Sequence, residues 1–173
     1  MVETKRRSIV GGDAASRVLV DSGPLIALFN GHDHWHPTVL EWLRTHPRVG
    51  LVSTWPVLTE VCALLARRLS NAVALDFLRW VHRGAIEVDN AGPATMEQVL
   101  LISERFADLP FDLADASVAE AAARLNIDSV LTIDADFDVY RDAAGKPLIN
   151  SLRAHPPVRG SARPRAPRRP ANR

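Results

Sequence analysis

Short apolar runs that end in a polar residue restrict the fold of this sequence more than any other feature. RVLV at Arg17–Val20, VGLVS at Val49–Ser53 and SVLTI at Ser129–Ile133 are rich in β-branched residues. Runs of this kind are typical of strands that are buried on both faces of a parallel sheet. Two weaker strands are predicted at Ala85–Val88 and Pro147–Ile149.

Segments with helical periodicity lie between these strands. The first predicted helix begins at residue 22. Five further helices are predicted at residues 33–44, 54–69, 72–82, 93–106 and 112–125. In GHDHWHP, Asp33 is interpreted as the N-cap of the second helix, because histidines at this spacing do not share the helix face that a zinc site needs. Alternating strands and helices predict an α/β domain with a mainly parallel sheet of four or five strands.

The composition excludes several classes of protein. Of the 173 residues 47% are hydrophobic, yet no apolar run approaches the roughly 18 residues of a membrane span. The first residues include bases but no apolar stretch of about 7–15 residues, so no signal peptide is predicted. Cys62 is the only cysteine, which excludes a disulfide framework within the chain and predicts a cytoplasmic location.

Charge divides the chain into three parts. Residues 151–173 hold seven arginines and no acid, which leaves 14 basic against 20 acidic residues in positions 1–150. We predict a flexible leader at residues 1–15, a folded domain at 16–152 and a disordered basic Arg/Pro-rich tail at 153–173. Such a tail can hold nucleic acid electrostatically, although a segment without a specific role would have the same composition.

Aspartates mark the ends of two buried strands. Asp21 and Asp134 follow apolar runs, and Asp136 comes shortly after. The carboxyl ends of parallel strands share one edge of a sheet, where α/β proteins bind ligands. Glu60 lies four residues after Pro56, at the border of an apolar helix face. Each of these acids also has a structural interpretation, as a turn residue or, for Glu60, as a partner of a nearby arginine.

The stretch LPFDLADASVAEAAARL adds two more acids at the start of a helix. Asp112 has the position of an N-cap, whether or not it also serves a site. Asp115 heads a stripe with Ala119 and Ala122 that should face the core, where an unpaired charge is costly. Several carboxylates at one rim would repel one another, and a divalent cation resolves that repulsion. A set of oxygen ligands without cysteine favours Mg²⁺ or Mn²⁺ over zinc. A cation of this kind is suited to phosphodiester hydrolysis.

The order of these motifs resembles a known family. VLVDSGPLIALFN, VLTEVCALL, LPFDLADASVAEAA and VLTIDADFDVYR are similar to the four acidic motifs of PIN-domain ribonucleases, and most of all to those of VapC-type toxins of type II toxin–antitoxin pairs. The likeness covers about residues 17–152. It implies a catalytic set of Asp21, Glu60, Asp115 and Asp134, with Thr132 in support and Phe137 and Arg141 following. Asp21 and Asp115 are the implied metal ligands, Asp112 and Asp136 are additional acids, and Asp136 could replace Asp134.

The resemblance also implies a fold, a reaction and partners. The fold would be a three-layer α/β/α sandwich, and the reaction Mg²⁺-dependent endonucleolytic cleavage of RNA by metal-activated water, with Mn²⁺ as a substitute. A cognate antitoxin protein and a homodimer are the implied partners. The alternative is a PIN-like module that binds RNA or protein without cutting; the full acidic set favours the enzyme.

Overall fold

The domain is built on a five-stranded parallel sheet, as the strand pattern predicts. A computed structural model describes residues 16–141 and 145–153; the predicted leader and positions 154–173 of the predicted tail lie outside these residues. The strands are β1 (Arg17–Val20), β2 (Gly50–Thr54), β3 (Glu87–Asp89), β4 (Ser129–Leu131) and β5 (Ile149–Asn150). Their order in the sheet is β3-β2-β1-β4-β5, and every pairing between them is parallel.

Helices cover the sheet and complete a three-layer α/β/α sandwich. They are α1 (Ser22–Phe29), α2 (His36–Thr45), α3 (Trp55–Arg68), α4 (Asn71–Trp80), α5 (Thr95–Arg105) and α6 (Leu113–Leu125). A π-helical turn at Val81–Ala85 precedes β3, and a 3₁₀ turn at Asp136–Asp138 follows β4. Within residues 16–141 and 145–153, none of the helices is long and apolar enough to cross a membrane.

Strand β1 forms the centre of the sheet and of the core. Leu19 pairs with Val52 on one side and with Val130 on the other, and all three side chains are fully buried. Because all five strands are parallel, β1, β2 and β4 end at the same edge. Asp21 follows β1 there, Thr54 ends β2 and Thr132 follows β4. This edge therefore collects the polar residues that follow the apolar runs.

Several predicted element boundaries are wrong by two or three residues. Strand β3 begins at Glu87 instead of Ala85, β5 at Ile149 instead of Pro147 and α5 at Thr95 instead of Pro93, and α4 ends at Trp80 instead of His82.

Two further differences have a clear local reason. Strand β4 ends at Leu131 instead of Ile133, because the Thr132 hydroxyl turns to Asp21 and to the backbone N–H of Asp134. The second helix begins at His36, not Asp33. The Asp33 carboxylate accepts a hydrogen bond from the N–H of Trp35, which forms an Asx turn before the helix instead of capping it.

A close contact in the first turn of α1 fixes this edge and supports a first prediction. A Cβ atom added at Gly23 would lie 2.5 Å from Cγ1 of Ile133, which comes directly after Thr132. We expect Gly23→Ala to lower the free energy of unfolding by about 1–3 kcal/mol through overpacking, measured by urea denaturation. Gly31→Ala is the control, since nothing lies within 4 Å of its added Cβ. Equal stability of the two variants would contradict the expected clash.

Candidate metal-binding active site

Asp21 is a buried carboxylate held by two hydrogen bonds. It is the N-cap of α1, where its Oδ1 accepts from the N–H of Ser22 at 2.6 Å. Its Oδ2 accepts from the Thr132 hydroxyl at 2.9 Å, and its own N–H donates to the carbonyl of Leu131 at 3.1 Å. Only 3% of the residue is exposed, and this burial raises its pKa from 3.8 to about 6 despite both hydrogen bonds.

Asp115 owes its position to the cap of α6. The carboxylate of Asp112 accepts from the N–H groups of Ala114 and Asp115 at 2.7 and 3.2 Å, so the predicted N-cap is confirmed. Ala119 and Ala122 are buried along the same stripe, as predicted. Burial, followed by the negative charges of Asp21 and Asp112, raises the pKa of the half-buried Asp115 to about 8.

Three carboxylates converge next to Asp21. Oxygen atoms of Asp115, Asp134 and Asp136 all lie within 4.8 Å of one another. Asp134 reaches this position because its N–H donates to the Thr132 hydroxyl at 3.0 Å, while its own Oδ1 accepts from the N–H of Asp136 at 2.9 Å. The structure therefore brings both candidates for the fourth acid to one place. Asp21 lies outside this tight trio, but its charge still acts on Asp115.

Glu60, on α3, acts on the other acids through its charge and is not one of the three carboxylates in close contact. Its carboxylate raises the pKa of both Asp21 and Asp115. Within residues 16–141 and 145–153 Glu60 forms no ion pair, so it is not the partner of a nearby arginine such as Arg67. We name the six acids at this edge the acidic cluster: Asp21, Glu60, Asp112, Asp115, Asp134 and Asp136.

The donor set of the acidic cluster fits a hard divalent cation. Its members offer carboxylate oxygens, and Mg²⁺ or Mn²⁺ prefers such ligands. Burial, and after it the charges of neighbouring carboxylates, raises the pKa values of Asp21 and Asp115. A cation would remove this repulsion, and Asp115, Asp134 and Asp136 are spaced to hold one together.

Asp89, a further aspartate at the end of a strand, belongs to a separate group. It ends the edge strand β3, and its carboxylate accepts two hydrogen bonds from the guanidinium of Arg124. Arg124 also donates to both carboxylate oxygens of the buried Glu120. Arg124 therefore compensates the charge of two further acids near the sheet.

Tyr140 is a residue of the site that the sequence pattern did not reveal. It is buried against Phe106 and Phe137, with ring centroids 5.1 and 5.5 Å away. Burial, and then the charges of Asp115 and Asp112, raise the pKa of its phenol to about 12. The hydroxyl therefore stays protonated beside the carboxylates. The one available signal was that this is the only tyrosine of the chain, three residues after Phe137.

Arg141 follows the cluster but does not neutralise it. One nitrogen of its guanidinium donates to the backbone carbonyls of Asp138, Val139 and Tyr140. The side chain therefore closes the turn after the fourth motif. Phe137 is buried in that turn and anchors it to the core.

Thr132 links the two central strands at the site, which supports a second prediction. Thr132→Val keeps the shape of the side chain but leaves Asp21 Oδ2 and the N–H of Asp134 without their partner. We expect a loss of about 1–3 kcal/mol in the free energy of unfolding, measured in urea at neutral pH. Thr132→Ser keeps the hydroxyl and should retain most of the stability. If valine and serine gave the same stability, the hydroxyl would not hold the two strands together.

Known proteins resemble this chain in sequence and in fold. Residues 18–143 match the PIN domain. Ribonuclease VapC26 of Mycobacterium tuberculosis (strain ATCC 25618 / H37Rv) is 30% identical over 129 residues, which are 74% of this chain and 95% of that protein. The crystal structure of M. tuberculosis VapC20, a sarcin-ricin loop cleaving toxin, has a TM-score of 0.67 at 22% identity and covers 77% of this chain and 98% of its own.

A second solved structure supports the same fold. VapBC2 from Rickettsia felis, bound to a DNA fragment from its promoter, has a TM-score of 0.54 at 13% identity. The match covers 72% of this chain and 92% of the other. At these identities the two structures establish the shared architecture, which is the predicted one.

Proposed function

The chain belongs to the PIN-domain family, among its VapC-type ribonuclease toxins, and from this we propose that it is a Mg²⁺-dependent endoribonuclease that acts as the toxin of a toxin–antitoxin pair. The observation that carries the proposal is the convergence of Asp115, Asp134 and Asp136 within 4.8 Å, next to the buried Asp21. Mn²⁺ would substitute for Mg²⁺, since both prefer oxygen ligands.

We assign roles within the acidic cluster as follows. Asp21 and Asp115 are the proposed metal ligands, and Glu60 and Asp134 complete the catalytic set. Asp136 lies close enough to share the cation with Asp134, so both acids of the fourth motif would contribute. When bound, the cation supplies Lewis acidity toward a phosphate oxygen and activation of water.

The remaining residues of the site position these carboxylates. Asp112 caps α6 and so fixes the first turn that carries Asp115. The Thr132 hydroxyl donates to Asp21 and accepts from the backbone of Asp134, which sets the distance between two of the acids. A water that attacks a phosphodiester beside these groups requires no nucleophilic side chain from the protein.

The proposed partners are RNA and a cognate antitoxin. VapBC2 of Rickettsia felis is a complex of a toxin with its antitoxin, and this chain shares the fold found there. A segment of such an antitoxin would cover the acidic cluster and silence it. We propose that the protein acts in the cytoplasm and without a membrane partner.

The test is cleavage of total bacterial RNA by the purified chain. We expect discrete cuts with Mg²⁺ or Mn²⁺ and none with EDTA, and sequencing of the ends should show 5′-phosphates on the downstream fragments. The mapped positions would also identify the target RNA. A folded protein that binds RNA without cutting it in any of these metals would instead support the non-cleaving module.

We further propose a homodimer, supported by a group of exposed apolar side chains. Trp55, Met96 and Leu113 line one cavity at the ends of α3, α5 and α6, and Leu100 and Phe111 line the next. Between 43% and 77% of each of these residues is exposed. Such a surface is typical of an interface.

Light scattering tests the dimer. We expect a mass about twice the 19.0 kDa of one chain, and a shift to the monomer for Met96→Glu, because a charge would be buried in the interface. Leu75→Glu is the matched control, since Leu75 is also half exposed but lies on α4. A monomeric starting protein, or dissociation by both variants alike, would contradict the proposed interface.

A further inference from the structure

The two proposed metal ligands, Asp21 and Asp115, come from elements that are far apart in the chain. Asp21 follows β1, whereas Asp115 lies in the first turn of α6. The Asp112 cap fixes that turn only locally, since it binds the N–H groups of Ala114 and Asp115. A cation such as Mg²⁺ needs its ligands at defined distances. A further contact is therefore needed to fix α6 relative to the sheet.

A pair of buried hydroxyls connects α6 to the end of β2. The side-chain oxygens of Thr54 and Ser117 lie 2.6 Å apart, and only 4% and 5% of these two residues are exposed. The Ser117 hydroxyl donates to the carbonyl of Ala114 at 2.7 Å. Because a hydroxyl has one proton to donate, Thr54 is the donor to Ser117. The two bonds thus lead from the sheet to the residue that precedes Asp115.

Thr54 forms this bond in place of a helix cap. It is the N-cap residue of α3, where a threonine hydroxyl commonly accepts a hydrogen bond from a backbone N–H of the first turn. Its side chain forms no such bond, and Pro56 in that turn has no N–H to donate. Local preference would direct the hydroxyl to its own helix, whereas the structure directs it to α6.

The hydroxyl pair also defines the position of α6 along its axis. Most of the other side chains that this helix buries are single methyl groups, which offer little shape with which neighbours can interlock. A shift of the helix along its axis would leave the hydroxyls of Thr54 and Ser117 buried without a partner, and an unpaired buried hydroxyl is costly. The bond therefore favours one position of α6, and with it one position of Asp115.

The preceding residue of β2 ties the same strand end to Asp21. Ser53 is fully buried, and its hydroxyl donates to the carbonyl of Val20 at 2.9 Å. Val20 directly precedes Asp21. The end of β2 is therefore connected to both carboxylates, through Ser53 to Asp21 and through Thr54 to Asp115.

We propose that Thr54 and Ser117 are positioning residues, whose hydrogen bond sets the distance of Asp115 from Asp21 and so determines how tightly the acidic cluster binds a divalent cation. This inference rests on the proposed function, and it adds the contact that places one ligand relative to the other. Loss of an outer contact that orients metal ligands commonly weakens metal binding by about 10- to 100-fold.

The affinity for Mn²⁺ tests this role without requiring cleavage. Ser117→Ala and Thr54→Val each remove one hydroxyl, a third variant carries both changes, and Thr54→Ser keeps the hydroxyl. We expect each single change to raise the Kd for Mn²⁺ by about tenfold and the double change to raise it no further, because the two residues act as one pair. Thr54→Ser should stay within about twofold of the intact chain. The free ion is measured by its electron paramagnetic resonance signal.

A stability control separates positioning from a general loss of structure. Val39→Ala shortens a buried side chain on α2, which carries no member of the acidic cluster. We expect it to lower the midpoint of urea denaturation at least as much as Ser117→Ala does, and to leave the Kd for Mn²⁺ unchanged. Circular dichroism checks that each variant is folded before the titration. An equal loss of Mn²⁺ affinity in Val39→Ala would mean that affinity follows stability, and the positioning role would be wrong.

The remaining outcomes separate this inference from the proposed function. Unchanged Mn²⁺ affinity in both single variants, or losses that multiply in the double variant, would overturn the positioning role and leave the nuclease in place. An intact chain that binds Mn²⁺ but cuts no RNA would contradict the proposed function alone, since the variants would still show what sets the affinity. An intact chain that binds no Mn²⁺ would overturn both.

Discussion

Replacing Asp115 by Asn is expected to reduce RNA cleavage by about 10³-fold or more without unfolding the protein. Stabilisation of charge by a bound cation is worth several kcal/mol in the transition state, and about 4 kcal/mol corresponds to about 10³-fold in rate. Asn keeps the size of the side chain but removes the charge that holds the cation. The fold should persist because Asp112, not Asp115, caps α6.

Cleavage assays with end mapping check this expectation, and Asp21→Asn should behave in the same way. Asp76→Asn is the matched control, because Asp76 is an exposed acid on α4 that pairs with Arg79. We expect the control to cut at the same positions and at the same rate. Cuts that persist in both cluster variants would mean that the acidic cluster is not the active site.

Without a divalent cation, the protein is expected to lose stability as the pH rises from about 4 to about 8. In the unfolded chain Asp21 and Asp115 release their protons near 3.8, whereas in the folded chain their pKa values are about 6 and about 8. The folded state binds more protons throughout this window, so each step upward in pH favours the unfolded state. The contribution of these two groups to the free energy of unfolding is fully present below about pH 4. It is lost as the pH rises through their pKa values in the folded chain.

The size of this effect is set mainly by Asp21. A shift of one pKa unit is 1.36 kcal/mol, which gives about 3 kcal/mol for its rise to about 6. Solvent reduces the contribution of the half-buried Asp115. Urea denaturation at several pH values in EDTA measures the loss. Asp21→Asn should remove most of the slope and Asp115→Asn the smaller part of it, because neither asparagine titrates.

Mg²⁺ should reverse the loss at high pH. A ligand that binds only the folded state stabilises it in proportion to the logarithm of its concentration, and the carboxylates are ready to bind it once they are ionised. We expect Mg²⁺ to raise the melting temperature more at pH 8 than at pH 5, and to have little effect on Asp115→Asn. Stability that stays constant or rises from pH 4 to pH 8 in EDTA would contradict the raised pKa values of Asp21 and Asp115.

Local sequence patterns predict most of this fold because its strands are buried on both faces. The run RVLV has the boundaries of β1, and the predicted second strand differs from β2 by one residue at each end. The pattern does not predict an element boundary that depends on side-chain hydrogen bonds instead of apolar burial. Threonine is common in strands, so the sequence does not indicate that β4 ends before Thr132. The strand ends there because the Thr132 hydroxyl forms hydrogen bonds with Asp21, 111 positions earlier, and with the N–H of Asp134, two positions later.

The sequence predicts which acids lie at the site, but it does not predict which of them are in closest contact. The sequence places Asp21, Asp115 and Asp134 at one edge, and the structure agrees in that respect. That Asp136 joins Asp115 and Asp134 in the tightest group depends on the turn after β4, whose geometry no periodicity encodes. Tyr140 was missed because burial beside the acids depends on contacts with Phe106, from a distant helix end.

The joint between the ends of β1 and β4 also determines how the site opens. Val20 pairs with Leu131, the Asp21 N–H donates to the Leu131 carbonyl, Thr132 donates to Asp21, and Ile133 packs directly on Gly23. The two segments cannot separate without breaking all four contacts, so they form one cooperative unit with a single opening free energy. Backbone amides on both sides of this joint would exchange with solvent through the same rare event. In the proposed enzyme, Asp21 and the acids that follow β4 would thus be held in place together or released together.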